Sequence, residues 1–219
     1  MKKENQRSLL LAICLVALFL LWTFSVRIVD VKAIGPNEST VGFATINRFI
    51  HNCTGVNMTL YNITDWLSIF PLLIITGFGI LGLVQWIKRK HILKVDYSIL
   101  ILGGFYFIVM AIYLLFEAVV INYRPVLING YAEASYPSST TMLVMCVMPT
   151  AIMQFNSRIK NNIIRKTVAY FFIAFIVFMV VGRFVSGVHW LSDIIGGILL
   201  SSGLVLMYRA FVNLKSDKS

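Results

Sequence analysis

The chain has 219 residues, of which 58% are hydrophobic and 13% are charged, and its mean hydropathy is +0.83. An ordinary soluble domain is about half apolar and about a quarter charged, so this composition excludes a soluble globular protein and indicates a membrane protein. The net charge of +10 is divided among several short segments, so it gives no reason to expect a nucleic-acid partner.

Six apolar segments are long enough to cross the hydrocarbon layer, which takes roughly 18 or more residues. They cover residues 8–26, 68–87, 98–121, 138–155, 166–182 and 190–212. The fourth is short and contains Pro149, which neighbouring helices can accommodate. The first is too long for the core of a cleaved signal peptide. The sequence therefore predicts a single all-α membrane domain over residues 1–219, built as a bundle of six transmembrane helices.

The basic residues predict the orientation of this bundle. Of the 19 Lys and Arg residues, 14 lie before the first span, between spans two and three, between spans four and five, or after span six. These 14 include Lys2 and Lys218. The other side has only Arg27, Lys32, Arg48, Arg124 and Arg183. The positive-inside rule places both chain termini in the cytoplasm.

One connection on the outer side is long, covering residues 27–67. Apolar residues recur in it at helical spacing, at Phe43, Ile46, Phe49 and Ile50. This pattern predicts a short amphipathic helix on the outer membrane surface. Four N-x-S/T triplets in the same segment would matter only in a glycosylating cell, and otherwise fit a polar loop.

Three polar clusters fall at the outer ends of the spans. They are EAVVINYRP at the end of span three, YPSSTT at the start of span four, and GRFVSGVHWLSD between spans five and six. Because the predicted topology brings all three to the same membrane boundary, residues remote in sequence can form one site there.

All three clusters carry groups suited to phosphate. Arg124 and Arg183 have forked guanidinium groups that match phosphate oxygens. Ser138, Ser139 and Thr140 follow a proline at a predicted helix start, where hydroxyls and unpaired N–H groups favour an anion. The sequence therefore predicts an anion cradle.

The third cluster carries a pair suited to nucleophilic catalysis. His189 and Asp193 are four residues apart, so on a helix they share a face. A carboxylate that accepts the proton of one ring nitrogen leaves the other nitrogen free to attack. A histidine at a helix end and arginines that anchor to headgroups are the plainer interpretations. The coincidence of all these groups, and the cost of an aspartate beside hydrocarbon, favour a functional site.

At these residues the sequence resembles the type-2 phosphatidic acid phosphatase superfamily, which includes the vanadium haloperoxidases. The family pattern is K-x6-R-P, then P-S-G-H, then S-R-x5-H-x3-D. The residues that match it are Arg124, Pro125, Pro137, Ser138, Arg183, Gly187, His189 and Asp193. The resemblance covers spans three to six.

The resemblance implies a phosphatase that uses neither a metal nor a cofactor and works through a phosphohistidine on the extracytoplasmic side. His189 would attack phosphorus and Asp193 would orient it. Arg124, Arg183 and the serines and threonine at 138–140 would hold the phosphoryl oxygens. The implied partner is a membrane lipid that bears a phosphate or diphosphate, and the implied location is a bacterial plasma membrane.

The sequence departs from the family pattern at four positions. Glu117 replaces the first lysine, Ser139 the glycine, Thr140 the second histidine, and Gly182 the serine. In the family the second histidine protonates the leaving group. An alkoxide leaving group has a conjugate-acid pKa near that of water, about 15.7, whereas a leaving phosphate monoester has a pKa of roughly 6. A polyprenyl diphosphate is therefore the favoured substrate over phosphatidic acid.

Two carboxylates offer partial substitutes for the missing groups. Glu133, in the loop before span four, would supply the proton, or it is a solvated loop residue. Glu117 would orient Arg124 or pair with a basic residue across the bundle.

Other functions remain open from the sequence. One alternative is a degenerate family member that binds phospholipid without turnover. The other is a phosphotransferase that passes the phosphoryl group to an acceptor other than water. Retention of both His189 and Asp193 argues against a pure binder. A channel or transporter is disfavoured because the middles of the spans are apolar. The sequence indicates no oligomeric state.

Overall fold

The computed structural model describes residues 3–216, which are mostly helical. The helices are α1 (Lys3–Ile28), α2 (Ala44–Thr54), α3 (Met58–Leu67), α4 (Ile69–Arg89), α5 (Tyr97–Ala118), α6 (Ser139–Arg158), α7 (Asn162–Val185) and α8 (Leu191–Ser216). A small antiparallel hairpin pairs β1 (Lys32–Ala33) with β2 (Thr40–Val41). The all-α fold class is confirmed. Lys2 and Lys218 lie outside the described residues.

Five helical stretches in the described part of the chain are long and apolar enough to cross a membrane. They are Lys3–Ile28, Met58–Arg89, Tyr97–Ala118, Asn162–Val185 and Leu191–Leu214. The predicted span at 138–155 forms α6, which is more polar than the others. The count of six spans stays a prediction.

Helix α6 is polar because it lies inside the bundle. It packs against α4, α5, α7 and α8, and its residues Val144, Val147 and Met148 are fully buried. Its Thr150 hydroxyl donates to the carbonyl of Cys146, so that side chain needs no external partner. The surrounding helices instead expose large apolar residues such as Phe107. This arrangement suits a helix shielded from lipid by a ring of apolar helices.

Helices α1 and α8 pack side by side along their length. Nδ2 of Asn5 donates to the carbonyl of Ala210 at 3.2 Å, and Nε1 of Trp22 donates to the carbonyl of Ser192 at 3.1 Å. These bonds lie near opposite ends of the pair, so α1 fixes α8 at the end where His189 and Asp193 lie.

The segment 27–67 contains two helices where the sequence predicted one. Helix α2 includes three of the predicted apolar residues, of which Ile46 and Phe49 are exposed. Its placement on the outer membrane surface stays a prediction. Helix α3 was not predicted; Asn57 caps it by accepting from the N–H of Leu60 at 2.9 Å, and Ser68 joins it to α4.

The turn between α2 and α3 docks on the connection between α7 and α8. The N–H of Asn57 donates to the carbonyl of Ser186 at 2.9 Å. Gly187 has a φ of +68°, and a Cβ there would lie 1.8 Å from the carbonyl oxygen of Gly55. Only glycine fits both the left-handed backbone and this close approach. The contact holds α3 beside the end of α7.

Candidate active site

The candidate site lies at the end of the bundle where α5 and α7 finish and α6 and α8 begin. The connection from α5 to α6 folds back on itself, with a bridge between Tyr123 and Ala134. The N–H of Arg124 donates to the carbonyl of Glu133 at 3.0 Å within this turn. The fold of this connection therefore fixes the position of Arg124.

His189 lies in the turn before α8 and its side chain is almost fully buried. Its Nε2 lies 3.0 Å from Nη1 of Arg124. Because a guanidinium group only donates, Nε2 is assigned as the acceptor and the ring proton belongs on Nδ1. Nδ1 lies 3.8 Å from Oδ2 of Asp193. The imidazole thus has its lone pair on the Arg124 side.

Burial and the nearby charge of Arg124 lower the pKa of His189 to about 4. The ring is therefore neutral at neutral pH, even though Asp193 favours its charged form. A neutral imidazole with a fixed tautomer can act as a nucleophile.

Asp193 is completely buried and its carboxylate is well supplied with donors. Oδ2 accepts from the N–H of Trp190 at 3.0 Å, and Oδ1 accepts from Nδ2 of Asn122 at 2.9 Å. The hydroxyl of Ser192 lies 3.4 Å from Oδ1. Bonds of this kind to an ionised group are strong and directional, so the carboxylate is held in one orientation beside His189.

Arg183 is 1% exposed and is only partly satisfied by its neighbours. Its Nη2 donates to Oδ1 of Asp65 and to Oγ1 of Thr140, both at 2.7 Å. Its Nε and Nη1 are buried and have no hydrogen-bond partner among the described residues. Unpaired buried donors are costly, and a phosphate oxygen is the acceptor that a guanidinium group matches best.

Tyr61 of α3 lies against both guanidinium groups. Its ring centroid is 4.8 Å from Cζ of Arg183 and 5.7 Å from Cζ of Arg124. Contact with one aromatic ring stabilises both cations, which offsets part of the repulsion between these two like charges.

The three polar residues at the start of α6, Ser138, Ser139 and Thr140, have different surroundings. Ser138 is fully buried; its N–H donates to the carbonyl of Asp193 at 3.1 Å and its hydroxyl accepts from Thr141. Ser139 lines a polar cavity at this end of the bundle, and Thr140 contacts Arg183. The N–H groups of the first turn have no acceptor within the helix, so they add to the anion-binding character of this end.

The two glutamates singled out from the sequence also lie at this cavity. Oε2 of Glu133 is 3.0 Å from Nε of Arg124, and its side chain is 43% exposed. Glu117 is exposed and lines the same cavity beside Tyr113. The carboxylate that pairs with Arg124 is therefore that of Glu133.

The site opens into a polar cavity of ≈ 630 Å³, whose lining includes Arg124, Glu117 and Glu133. A second cavity of ≈ 330 Å³ is lined mainly by apolar residues of α4, α5 and α6. Asp65, Tyr113 and Ser139 line both cavities. Adjoining polar and apolar cavities can hold the charged head and the chain of an amphiphile.

Three residues of this site were not predicted from the sequence. Asn122 is in the cluster that contains Arg124, but an asparagine two residues before an arginine carries no specific signal. Tyr61 and Asp65 come from the long outer segment, and their place depends on the docking of α3, which no local pattern predicts.

Comparison with known proteins agrees with this architecture. The model of the PAP2 superfamily matches residues 72–216. A solved structure, the first transmembrane PAP2-type phosphatidylglycerolphosphate phosphatase from Bacillus subtilis, superposes with a TM-score of 0.61 at 18% identity. The alignment covers 93% of this chain and 96% of that one, so the two share a fold. Comparison with curated proteins gives no significant match.

Proposed function

The chain belongs to the PAP2 superfamily, and from this premise we propose that it is a membrane lipid phosphatase that works through a phosphohistidine. It removes the terminal phosphate from a lipid phosphate or a lipid diphosphate on the extracytoplasmic side of the membrane. A bacterial plasma membrane suits its short basic loops.

The observation that carries this proposal is the line of contacts from Arg124 through His189 to Asp193. Nε2 of His189 accepts from Arg124, and Nδ1 faces a carboxylate whose donors hold it in place. An unprotonated imidazole nitrogen whose lone pair points to a cation that can bind phosphoryl oxygens is the arrangement that phosphoryl transfer to histidine needs.

The reaction proceeds in two displacements. In the first, a phosphoryl oxygen replaces Nε2 of His189 as the hydrogen-bond acceptor of Arg124. Nε2 then forms a bond to phosphorus, and the bond from phosphorus to the leaving oxygen breaks. Asp193 stabilises the positive charge that develops on the ring. In the second, water attacks the phosphohistidine, the bond from phosphorus to nitrogen breaks, and phosphate leaves. The unpaired Nε and Nη1 of Arg183 supply further donors to the phosphoryl group.

The proposed substrate is a polyprenyl diphosphate. Thr140 stands where the family has its second histidine, and a threonine hydroxyl is no proton donor near neutral pH. A leaving phosphate monoester has a pKa of roughly 6 and departs as an anion, whereas an alkoxide, with a conjugate-acid pKa of about 15.7, needs a proton in order to leave. The apolar cavity beside Ser139 and Thr140 offers space for the start of a hydrocarbon chain.

Phosphate release by the detergent-purified protein tests the proposal. Wild type and His189→Ala are compared in EDTA, with a polyprenyl diphosphate and with phosphatidic acid. We expect release that survives EDTA, is faster from the diphosphate, and falls to background in the variant. Acid-labile label should be trapped on the wild-type protein from a substrate labelled in its terminal phosphate.

Other outcomes favour the other functions. Lipid binding without release from either substrate indicates a degenerate binder. Release that is replaced by transfer when an alcohol acceptor is added indicates a phosphotransferase. Release that persists in His189→Ala contradicts the phosphohistidine.

A further inference from the structure

Asp65 is an acidic residue that lines both cavities of the candidate site. It belongs to α3, next to the junction with α4, and its side chain is 57% exposed. Its Oδ1 accepts a hydrogen bond from Nη2 of Arg183 at 2.7 Å. No role for it follows from the two displacements described above.

Asp65 and Thr140 share one hydrogen-bond donor. Both side chains accept from the same atom, Nη2 of Arg183, at 2.7 Å each. Thr140 occupies the place of the family's second histidine. The chain therefore supplies a carboxyl group, from a different helix, beside the position from which the histidine side chain is missing.

Asp65 also stands at the boundary between the two cavities. Of the three residues that line both the polar and the apolar cavity, it alone has an acidic side chain; the others are Tyr113 and Ser139. The leaving oxygen of a lipid phosphate joins the charged head to the chain, so it must lie at this boundary when the two parts occupy the two cavities.

Building on the proposed function, we propose that Asp65 is the general acid and base of this enzyme. As Nε2 of His189 bonds to phosphorus, the proton of the Asp65 carboxyl passes to the leaving oxygen, which departs as a hydroxyl group. The resulting carboxylate then takes a proton from the water that attacks the phosphohistidine, which restores the starting state. The sum is the addition of one water across the bond from phosphorus to oxygen.

The ion pair with Arg183 links this proton to substrate binding. In the free protein the carboxylate is a partner of the guanidinium group. A phosphoryl group bound to Arg183 replaces it as the counter-ion, and the negative charge of the substrate disfavours a second negative charge beside it. Binding of substrate thus releases Asp65 from its ion pair with Arg183. An anionic phosphate monoester needs no proton in order to leave, so a diphosphate remains the better substrate.

The test compares two leaving groups in Asp65→Asn, using phosphate release from phosphatidic acid and from a polyprenyl diphosphate. Asparagine keeps an oxygen that accepts from Arg183 but has no proton to transfer. We expect kcat for phosphatidic acid to fall by about 10²-fold or more, and kcat for the diphosphate by less than about tenfold. The preference for the diphosphate should therefore increase, and Asp65→Glu should restore part of the lost monoester activity.

Two control variants make the result specific. Glu133→Gln removes the carboxylate that pairs with Arg124 in the same cavity, and it should slow both substrates by the same factor. Tyr113→Phe removes the other titratable group shared by the cavities, and it should leave the ratio of the two rates unchanged.

Equal losses for both substrates in Asp65→Asn would overturn the proposal, because a residue that only holds Arg183 affects every phosphate alike. A changed ratio in Tyr113→Phe alone would overturn it as well, in favour of the tyrosine. Wild-type protein that hydrolyses neither lipid would instead overturn the phosphatase function, and release that persists in His189→Ala would overturn the phosphohistidine. Either result overturns this proposal as well.

Discussion

The two halves of the candidate site are built in opposite ways. Around His189 and Asp193 the side chains are buried, and Asp193 accepts hydrogen bonds from Trp190 and Asn122. Around Arg124 and Arg183 the guanidinium groups are buried, but the carboxylates that pair with them are those of the partly exposed residues Glu133 and Asp65. Two donor atoms of Arg183, Nε and Nη1, also have no hydrogen-bond partner in the described part of the chain.

This difference follows what each half must do. A nucleophile is most effective when its tautomer and direction are fixed in advance, because no reorganisation is then needed during the reaction. A phosphate site must instead exchange its partners, since the substrate has to replace the anions present in the free protein. Exposed carboxylates bind weakly enough to be displaced, whereas a buried and saturated one such as Asp193 is not.

The largest effect is expected in the half of the site around Arg124 and Arg183, from the substitution Arg183→Lys. Lysine keeps the positive charge but loses the planar fork, so it cannot contact Thr140 and Asp65 and still present two donors to phosphate. We expect kcat to fall by about 10²- to 10³-fold, the usual cost of a lost transition-state donor. The assay is phosphate release at saturating diphosphate.

Arg209→Lys is the matched control, because Arg209 is an exposed arginine paired with Glu4 and far from the site in the bundle. It should have nearly wild-type kcat. An Arg183→Lys enzyme with normal kcat would show that charge alone suffices and that the buried fork has no catalytic part.

In the half of the site around His189 and Asp193 the corresponding change is Asn122→Ala, and we expect a smaller effect. It removes the donor to Oδ1 of Asp193, and a hydrogen bond to a charged group contributes about 1.5–3 kcal/mol. The loss in kcat/KM should be about tenfold to a hundredfold. With one donor fewer, the negative charge of Asp193 is less compensated, so it raises the pKa of His189. The activity at low pH should fall more than the activity at high pH.

Asn47→Ala separates this positioning role from general destabilisation. Asn47 is an equally buried asparagine that donates to the hydroxyl of Ser192 at 3.0 Å rather than to Asp193. It should lower thermal stability without changing the shape of the pH profile. An unchanged profile in Asn122→Ala would show that Asn122 supports only the fold.

The contrast between the halves also explains what the sequence could reveal. Arg124, Arg183, His189 and Asp193 stand at the ends of predicted spans, where charged residues are rare enough to be noticed, and hydropathy alone brings those ends together. The positions of Asn122, Tyr61 and Asp65 depend on a folded-back loop and on the docking of α3 through Gly187, which are tertiary contacts. The polarity of α6 likewise has meaning only once the helix is seen to be enclosed by others.

The smallest expected effect is a displacement of the pH profile when Arg124 loses its charge. In the wild type, burial and Arg124 lower the pKa of His189 to about 4, so the unprotonated nucleophile persists well below pH 6.5. Arg124→Gln removes the nearby positive charge, which raises this pKa and moves the ascending limb of kcat/KM to higher pH. Each profile is compared after scaling to its own plateau, because Arg124 also contacts the phosphoryl group in the proposed mechanism. Glu133→Gln, which leaves the charge of Arg124 uncompensated, should not move the limb upward. A limb that stays in place in Arg124→Gln would mean that burial alone keeps His189 neutral.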